Sequence, residues 1–152
     1  MFLSQMQIPL KILKHGEGLS YPFYATAQSA GMDVFAAVEA PQTLDPGTRA
    51  AIPLGFALAL PHSFEAQIRS RSGLAAKYGV CVLNAPGTID PDYRGEVGAL
   101  MINLGQEPFV VERGLRIAQM VFAPFCCIEW MPTDDLEETA RSMGGFGSTG
   151  TK

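Results

Sequence analysis

The sequence predicts an all-β domain: a β-sandwich, jelly roll or barrel of short strands. Three observations predict it. Sixteen glycines and eleven prolines among 152 residues make up about 18% of the chain, against roughly 12% in average proteins. So much punctuation breaks the backbone often and disfavours long helices. Hydrophobic residues reach 47% and charged ones only 17%, a mixture too apolar for wholesale disorder. About nine apolar segments of strand length alternate with turn signals. At 152 residues the chain makes one domain of ordinary size, whose core needs no disulfide support.

Taken in order, residues 8–13 read as the first strand. Residues 30–37 are small and apolar around one acid, Asp33. Asp45-Pro46-Gly47 signals a turn, with Pro fixing φ and Gly supplying a permissive position. Residues 56–60 and 64–69 flank a second turn at Pro61-His62-Ser63. In 64–69, Phe64, Ala66 and Ile68 alternate with Glu65, Gln67 and Arg69, the period of two of a half-buried strand. Residues 72–79 break that period with the helix formers Leu74, Ala75, Ala76 and Lys77. The spacing predicts a helix of about two turns, capped by Ser72 and ended by Gly79. Strands resume at 80–83, 96–104, 109–111, 116–122 and 126–131, with 90–95 as a turn. From Thr133 the chain turns acidic and then glycine-rich. This divides it into a β domain over 1–135 and a mobile arm over 136–152.

The formal net charge is −4, and no Lys/Arg stripe is present. A generic binder of the nucleic-acid backbone is excluded. A compact anion held by a few placed arginines stays open. Three cysteines, odd in number and without CxxC or His-rich spacing, argue against structural zinc. They favour a reduced, cytoplasmic setting and core packing for Cys81, Cys126 and Cys127. No stretch reaches the ~20 apolar residues of a membrane span, and no secretory signal is expected.

Four segments carry candidate chemistry. In 69–75, two Arg and two Ser precede a glycine at a helix start, where free N–H groups attract anions. Arg71 offers a planar fork for phosphate oxygens; a capped helix with solvated arginines is the plainer alternative. In 87–95, Asp90 before Pro91 is either an ordinary turn opener or a general base that orients and deprotonates a water. Tyr93 is a core aromatic or a flat platform for a sugar or base. In 113–122, Gln119 interrupts an apolar strand. It either faces inward and needs polar partners, or lies with Arg116 on the wet face. In 141–150, a Gly/Ser/Thr-rich terminus is a linker or a nest of amides around a phosphate, with Arg141 as a charge clamp and Phe146 as a stacking ring.

Together and in order, with Ala30-Gly31-Met32-Asp33-Val34, these segments resemble the five motifs of the trimeric dUTP diphosphatase (dUTPase) family. The matching stretches are 30–37, 71–75, 84–98, 114–122 and 141–150. Gly-Thr-Ile-Asp-Pro-Asp-Tyr-Arg-Gly and the terminal Gly-Gly-Phe-Gly-Ser-Thr-Gly carry most of the likeness, which runs over residues 8–150. It implies a jelly-roll-like β-barrel assembled as a homotrimer. Active sites would be shared between subunits, each closed by the arm of a neighbouring chain. The implied reaction is dUTP plus water to dUMP and diphosphate with Mg²⁺, which keeps uracil out of DNA and supplies dUMP for dTMP synthesis. The implied partners are dUTP and further copies of the chain, with no nucleic acid and no membrane.

The resemblance also implies roles. Asp90 activates the water that attacks the α-phosphorus. Tyr93 lies beneath the deoxyribose and leaves no room for a 2′-hydroxyl. Asn84, with the backbone of Gly87, Thr88, Ile89 and Gly98, reads uracil. Arg71, Ser72, Gly73 and Gln119 contact phosphates. In the arm, Arg141, Ser148 and Thr149 hold the γ-phosphate, Gly147 contacts the substrate, and Phe146 stacks over the base. Mg²⁺ is held mainly by phosphates and waters, with Asp33 near the hydrated ion and Arg116 in a supporting place. Such an ion needs no dense acidic cluster, and neutralising the triphosphate is the main catalytic demand. Ser70 departs from the Pro that often precedes Arg-Ser-Gly; Ser142 and Met143 depart in the fifth motif. A dCTP deaminase-like enzyme and a nucleotide-sensing regulatory module on the same fold are the alternatives. Asp90 speaks against the first. The joint presence of Asp90, Tyr93 and the arm speaks against the second.

Overall fold

In the computed structural model, which describes residues 6–145, short strands follow one another with a single α-helix among them. The strands are β1 (Leu10–Ile12), β2 (Phe23–Tyr24), β3 (Met32–Phe35), β4 (Gln42–Leu44), β5 (Arg49–Pro53), β6 (Phe56–Leu58) and β7 (Phe64–Arg69). After the helix α1 (Ser72–Tyr78) come β8 (Val80–Val82), β9 (Gly87–Ile89), β10 (Gly98–Asn103), β11 (Phe109–Val111) and β12 (Arg116–Pro124). Every pairing is antiparallel. A five-stranded sheet runs β2-β3-β12-β7-β9 and a three-stranded one β5-β10-β8; β1 pairs β6 and β11 pairs β4. The class is the one expected, mostly β with one short helix, in small sheets that do not close into one continuous barrel.

The alternation in β7 holds. Ala66 and Ile68 are buried and join Val34, Ile52, Met101, Ile117 and Met120 in one core. Each fully buried side chain of this kind contributes about 1.5–3 kcal/mol. One polar residue sits among them. Asn103 is fully buried, its Nδ2 donating to the carbonyls of Leu44 and Glu107, 2.8 Å each, and its Oδ1 accepting from the Gly105 N–H at 2.8 Å. It ties the end of β4 to the loop after β10.

The structure departs from expectation in three places. Ser72 is the first helical residue of α1, not its cap. Arg71 occupies the cap position without a side-chain capping bond. Ser70 bonds elsewhere, its Oγ accepting from the Val82 N–H at 2.9 Å. Gly79 does end the helix, at φ 69°, a left-handed conformation that glycine adopts without strain. Residues 126–131 do not form the expected strand. β12 ends on Pro124 opposite Phe64, the first residue of its partner β7. One more bond, from the Phe125 N–H to the Ser63 carbonyl at 2.9 Å, follows before the partner turns away at Pro61-His62-Ser63, so the ladder has no further edge to follow. Trp130 and Met131 are consequently 84% and 86% exposed. Cys126 and Cys127 are also exposed and Cys81 is half-buried, so core packing is not the role of the adjacent pair.

Near the N-terminus, a 3-10 turn at Lys14–Gly16 lies flat on the turn between β5 and β6. A Cβ on Gly16 would collide with the Gly55 carbonyl, and Gly55 itself has φ 75°. The Leu13 N–H donates to the Gly55 carbonyl at 2.9 Å. Two glycines thus let two backbones touch.

Candidate active site

One group of expected residues gathers where β3, β12 and the β7–α1 junction meet. Gln119 of the central strand β12 is paired with Asp33 on β3 and with Arg69 at the end of β7. The register shifts between Arg116 and Ala118, and a bulge of this kind re-aims a side chain. Arg116 turns its Nη1 to Oδ2 of Asp33 at 3.1 Å, while Arg71 Nε reaches Oδ1 at 3.1 Å. Arg71 Nη1 also donates to the Arg116 carbonyl at 2.9 Å. The Asp33 side chain is only 13% exposed, so it is the fixed centre of the group. Two guanidiniums share one carboxylate and leave a net positive charge.

Gln119 is half-buried, and its Nε2 donates to the Ser70 carbonyl at 2.8 Å. A Cβ on Gly31 would collide with Gln119 Oε1, so the glycine makes room for the carboxamide. Gln119 therefore has polar partners, whereas Arg116 stays exposed. The first bond within α1 runs from the Ala75 N–H to the Arg71 carbonyl at 3.1 Å. The amides of Ser72 and Gly73 precede it, and a Cβ on Gly73 would enter open space. A small anion facing this corner would meet a cation, a carboxamide and backbone donors.

A second group forms a cleft between β9 and β10. Thr88, Ile89, Asp90, Tyr93 and Gly98 line about 200 Å³ together with Glu96 and Val97. That is smaller than the ~300–1,000 Å³ of whole ligand pockets, so the cleft suits part of a ligand, such as a base with its sugar. Asp90 is exposed at its edge. Tyr93 is 46% exposed and is not a core aromatic. Its hydroxyl donates to the Glu96 carbonyl at 2.9 Å, and its N–H to the Asp90 carbonyl at 3.2 Å. A Cβ on Gly95 would collide with that hydroxyl. An open carboxylate beside a flat ring is equipped to hold a sugar and take a proton from water.

The two groups lie apart in the chain. Ile68 pairs with Gly87 and Ala66 with Ile89, so Asp90 stands level with Glu65. Arg71 lies past the opposite end of β7. Six residues at ~3.3 Å each separate them by about 20 Å along the strand. Asn84 sits beside Gly87, at the far end of β9 from the cleft. Arg141 is exposed, with its Nε donating to the Gly144 carbonyl at 2.9 Å. Phe146, Gly147, Ser148 and Thr149 lie outside the described residues.

The family model described as dUTPase matches residues 18–150. The chain belongs to the dUTPase family. The deoxyuridine 5′-triphosphate nucleotidohydrolase of Maricaulis maris (strain MCS10) is 55% identical over 152 residues, covering 99% of this chain and 100% of the relative. Its counterpart in Anaplasma marginale (strain St. Maries) is 53% identical over 146 residues, covering 96% and 99%. Among solved structures, Staphylococcus bacteriophage 80alpha dUTPase with dUPNHPP matches with a TM-score of 0.86 at 24% identity, covering 96% of this chain and 99% of that one. A mutant dUTPase from phage phi11 of S. aureus, which reveals the coordination of a structural Mg(II) ion, matches with a TM-score of 0.77 at 21% identity, covering 88% and 100%. These two structures share the fold.

For a dUTPase, the metal question turns on the donor set. Among the described residues no group of three or more His, Cys, Asp or Glu side chains gathers. Both oxygens of Asp33 face guanidiniums. Such a set fits an ion delivered on substrate phosphates and waters. No helix among the described residues is long and apolar enough to cross a membrane. Two further residues, Glu96 at the cleft and His15 bonded to it, have no role assigned by the motifs. Glu96 lies just past the motif turn, and its partner His15 is 81 positions away.

Proposed function

We propose that the chain hydrolyses dUTP to dUMP and diphosphate, keeping uracil out of DNA and supplying dUMP for dTMP synthesis. The observation that carries this reading is the cleft joining Asp90 and Tyr93 to Thr88, Ile89 and Gly98, in a member of the dUTPase family. Asp90 accepts a proton from water as the water oxygen attacks the α-phosphorus. The bond from that phosphorus to the bridging oxygen breaks, and diphosphate leaves. Tyr93 packs beneath the deoxyribose. Backbone groups of Gly87, Thr88, Ile89 and Gly98, with Asn84, present uracil with fixed donors and acceptors, and such groups reject mismatched bases strongly. Arg71, Ser72, Gly73 and Gln119 take the phosphates, where oriented charge and dipoles stabilise the transition state most. Mg²⁺, when bound with the phosphates, neutralises part of their charge. Asp33 would face its hydration shell while holding Arg71 and Arg116.

The reading includes a homotrimer with shared sites. The ~20 Å along β7 between Asp90 and Arg71 supports it, because one nucleotide cannot use both ends of one chain's strand. A groove of about 510 Å³, bordered by Ile8, Leu10, Tyr24, Met32, Leu58 and Phe122, also supports it. So do the exposed Ile128, Trp130 and Met131. Residues 1–135 form the body in this reading, and 136–152 the arm that closes a neighbour's site through Arg141, Phe146, Gly147, Ser148 and Thr149. The three free cysteines support a reduced, cytoplasmic setting.

The test is a product assay with Mg²⁺ on dUTP, dCTP, dTTP and UTP, following diphosphate and ammonia separately. Diphosphate from dUTP alone is the expected result. Ammonia from dCTP would replace the reading with a deaminase, and silence on all four with a binding module. A chain ending before Arg141 is expected to fold and assemble but to lose roughly 10²-fold in kcat/KM, the scale of lost positioning. Full activity of the truncated chain in the same assay would reduce the arm to a linker.

A further inference from the structure

Resting on the reading of Tyr93 as the sugar-facing ring, we propose that His15 and Glu96 form a pair that positions Tyr93 and so sets the discrimination against a 2′-hydroxyl.

Tyr93 lies in the irregular segment 90–97 with its ring half in solvent. Gly95 lies against the ring, and the bond of the hydroxyl completes its placement. Its hydroxyl is held by one acceptor, the Glu96 carbonyl. The direction of that carbonyl decides where the ring lies. A trans peptide points its C=O and the next N–H in opposite directions. The Val97 N–H donates to the Phe56 carbonyl at 2.8 Å, which turns the Glu96 carbonyl the other way, toward Tyr93. The remaining freedom is at the Glu96 α-carbon, and the side chain restrains it. Glu96 Oε1 accepts from the Gly55 N–H at 2.9 Å and meets His15 Nε2 at 2.6 Å.

His15 is itself held. It rides on the Lys14–Gly16 turn, which the Gly16–Gly55 contact presses against the β5–β6 turn. Arg113 grips the same turn from the other side, Nη1 on the His15 carbonyl at 2.7 Å and Nη2 on the Glu17 carbonyl at 2.9 Å. The line of contact runs from Arg113 through His15 and Glu96 to the Tyr93 hydroxyl. Without the imidazole, Glu96 keeps only a backbone amide and can swing toward water. The carbonyl then wanders, and the ring yields space to a 2′-hydroxyl. His15 and Glu96 touch no substrate in this scheme; they are positioning residues.

The experiment measures kcat/KM for dUTP and UTP, with melting curves, on the wild type and on the His15→Ala, Glu96→Ala, Glu96→Gln and combined His15→Ala/Glu96→Ala proteins. Each alanine variant is expected to lower the dUTP-to-UTP ratio by about tenfold, the worth of one well-made hydrogen bond, chiefly by raising UTP turnover. The double variant should lose no more than either single. Glu96→Gln, whose amide oxygen accepts the same two bonds, should keep the ratio. A lower melting temperature with an unchanged ratio in the alanine variants would make the pair a fold contact only and overturn the proposal. The two alanine variants cut the same bond from opposite sides, so a folding failure in one leaves the other decisive. A wild type that hydrolyses neither nucleotide would overturn the dUTP reading and this proposal with it. A wild type active on dUTP, with variants of unaltered ratio, would overturn this proposal alone.

Discussion

Asparagine in place of Asp90 is expected to lower dUTP turnover by on the order of 10²–10⁴-fold, the usual worth of a positioned general base, while nucleotide binding survives. The amide has the carboxylate's shape but cannot take the water's proton. Asp90 is exposed at the edge of the cleft, and no side-chain hydrogen bond of the fold runs through it among the described residues. The melting temperature should therefore stay where it is. Base and sugar contacts belong to Thr88, Ile89, Tyr93 and Gly98, which the substitution leaves in place. Single-turnover hydrolysis of dUTP and a calorimetric titration with dUMP separate the two effects. Normal turnover would remove Asp90 from the chemistry. Lost dUMP affinity with a normal rate at saturation would make it a binding residue.

Alanine at Asn103 is expected to cost about 3–5 kcal/mol of stability. The side chain is fully buried and makes three bonds of 2.8 Å. Its removal strands the Leu44 and Glu107 carbonyls and the Gly105 N–H, and each group left without a partner costs about 1–3 kcal/mol. Glu107 is at the surface and regains water, so the total falls below three full penalties. For a domain of this size the melting temperature should drop by about 10–20 °C. The comparison is made at one protein concentration, because an assembling protein melts in a concentration-dependent way. A drop of only a degree or two would mean that water enters and replaces the amide.

How far the chain could be read in advance follows from element length and from distance along the sequence. β7 and β12 were legible because six and nine residues give room for a period to show. β2, with two residues, and β4, with three, show no period at all. β5 escaped for another reason: Arg49-Ala50-Ala51-Ile52-Pro53 buries only Ile52 deeply, so it has no apolar face to notice. Residues 126–131 have the composition of a strand, but composition does not reveal whether an edge is waiting. Among the described residues, the partner of β12 turns away past Ser63.

The same logic divides the site. Thr88, Ile89, Asp90, Tyr93 and Gly98 fall within one short stretch and share one cleft, so their grouping was visible in the sequence. Asp33 and Arg116 are 83 positions apart, and Gln119 and Ser70 are 49 apart. The motifs named Asp33, Arg116 and Gln119, but only the pairing of β3, β12 and β7 shows which atoms they share. His15 belongs to no motif, and Glu96, inside the third, is assigned no role there. Neither residue type nor spacing marks them, and only the folded contact does.

The separation along β7 has a consequence for how this protein can change its length. The strand works as a ruler between two half-sites, with Asp90 registered at one end and Arg71 at the other. One residue inserted within Phe64–Arg69 would do more than lengthen it. It would flip every later side chain to the opposite face, turning Ala66 or Ile68 out of the core and carrying Arg71 away from Asp33. Insertions and deletions that spare activity must therefore fall in irregular segments such as 25–29. The strand can trade side chains on its wetter face, yet its residue count is set by the spacing of the half-sites.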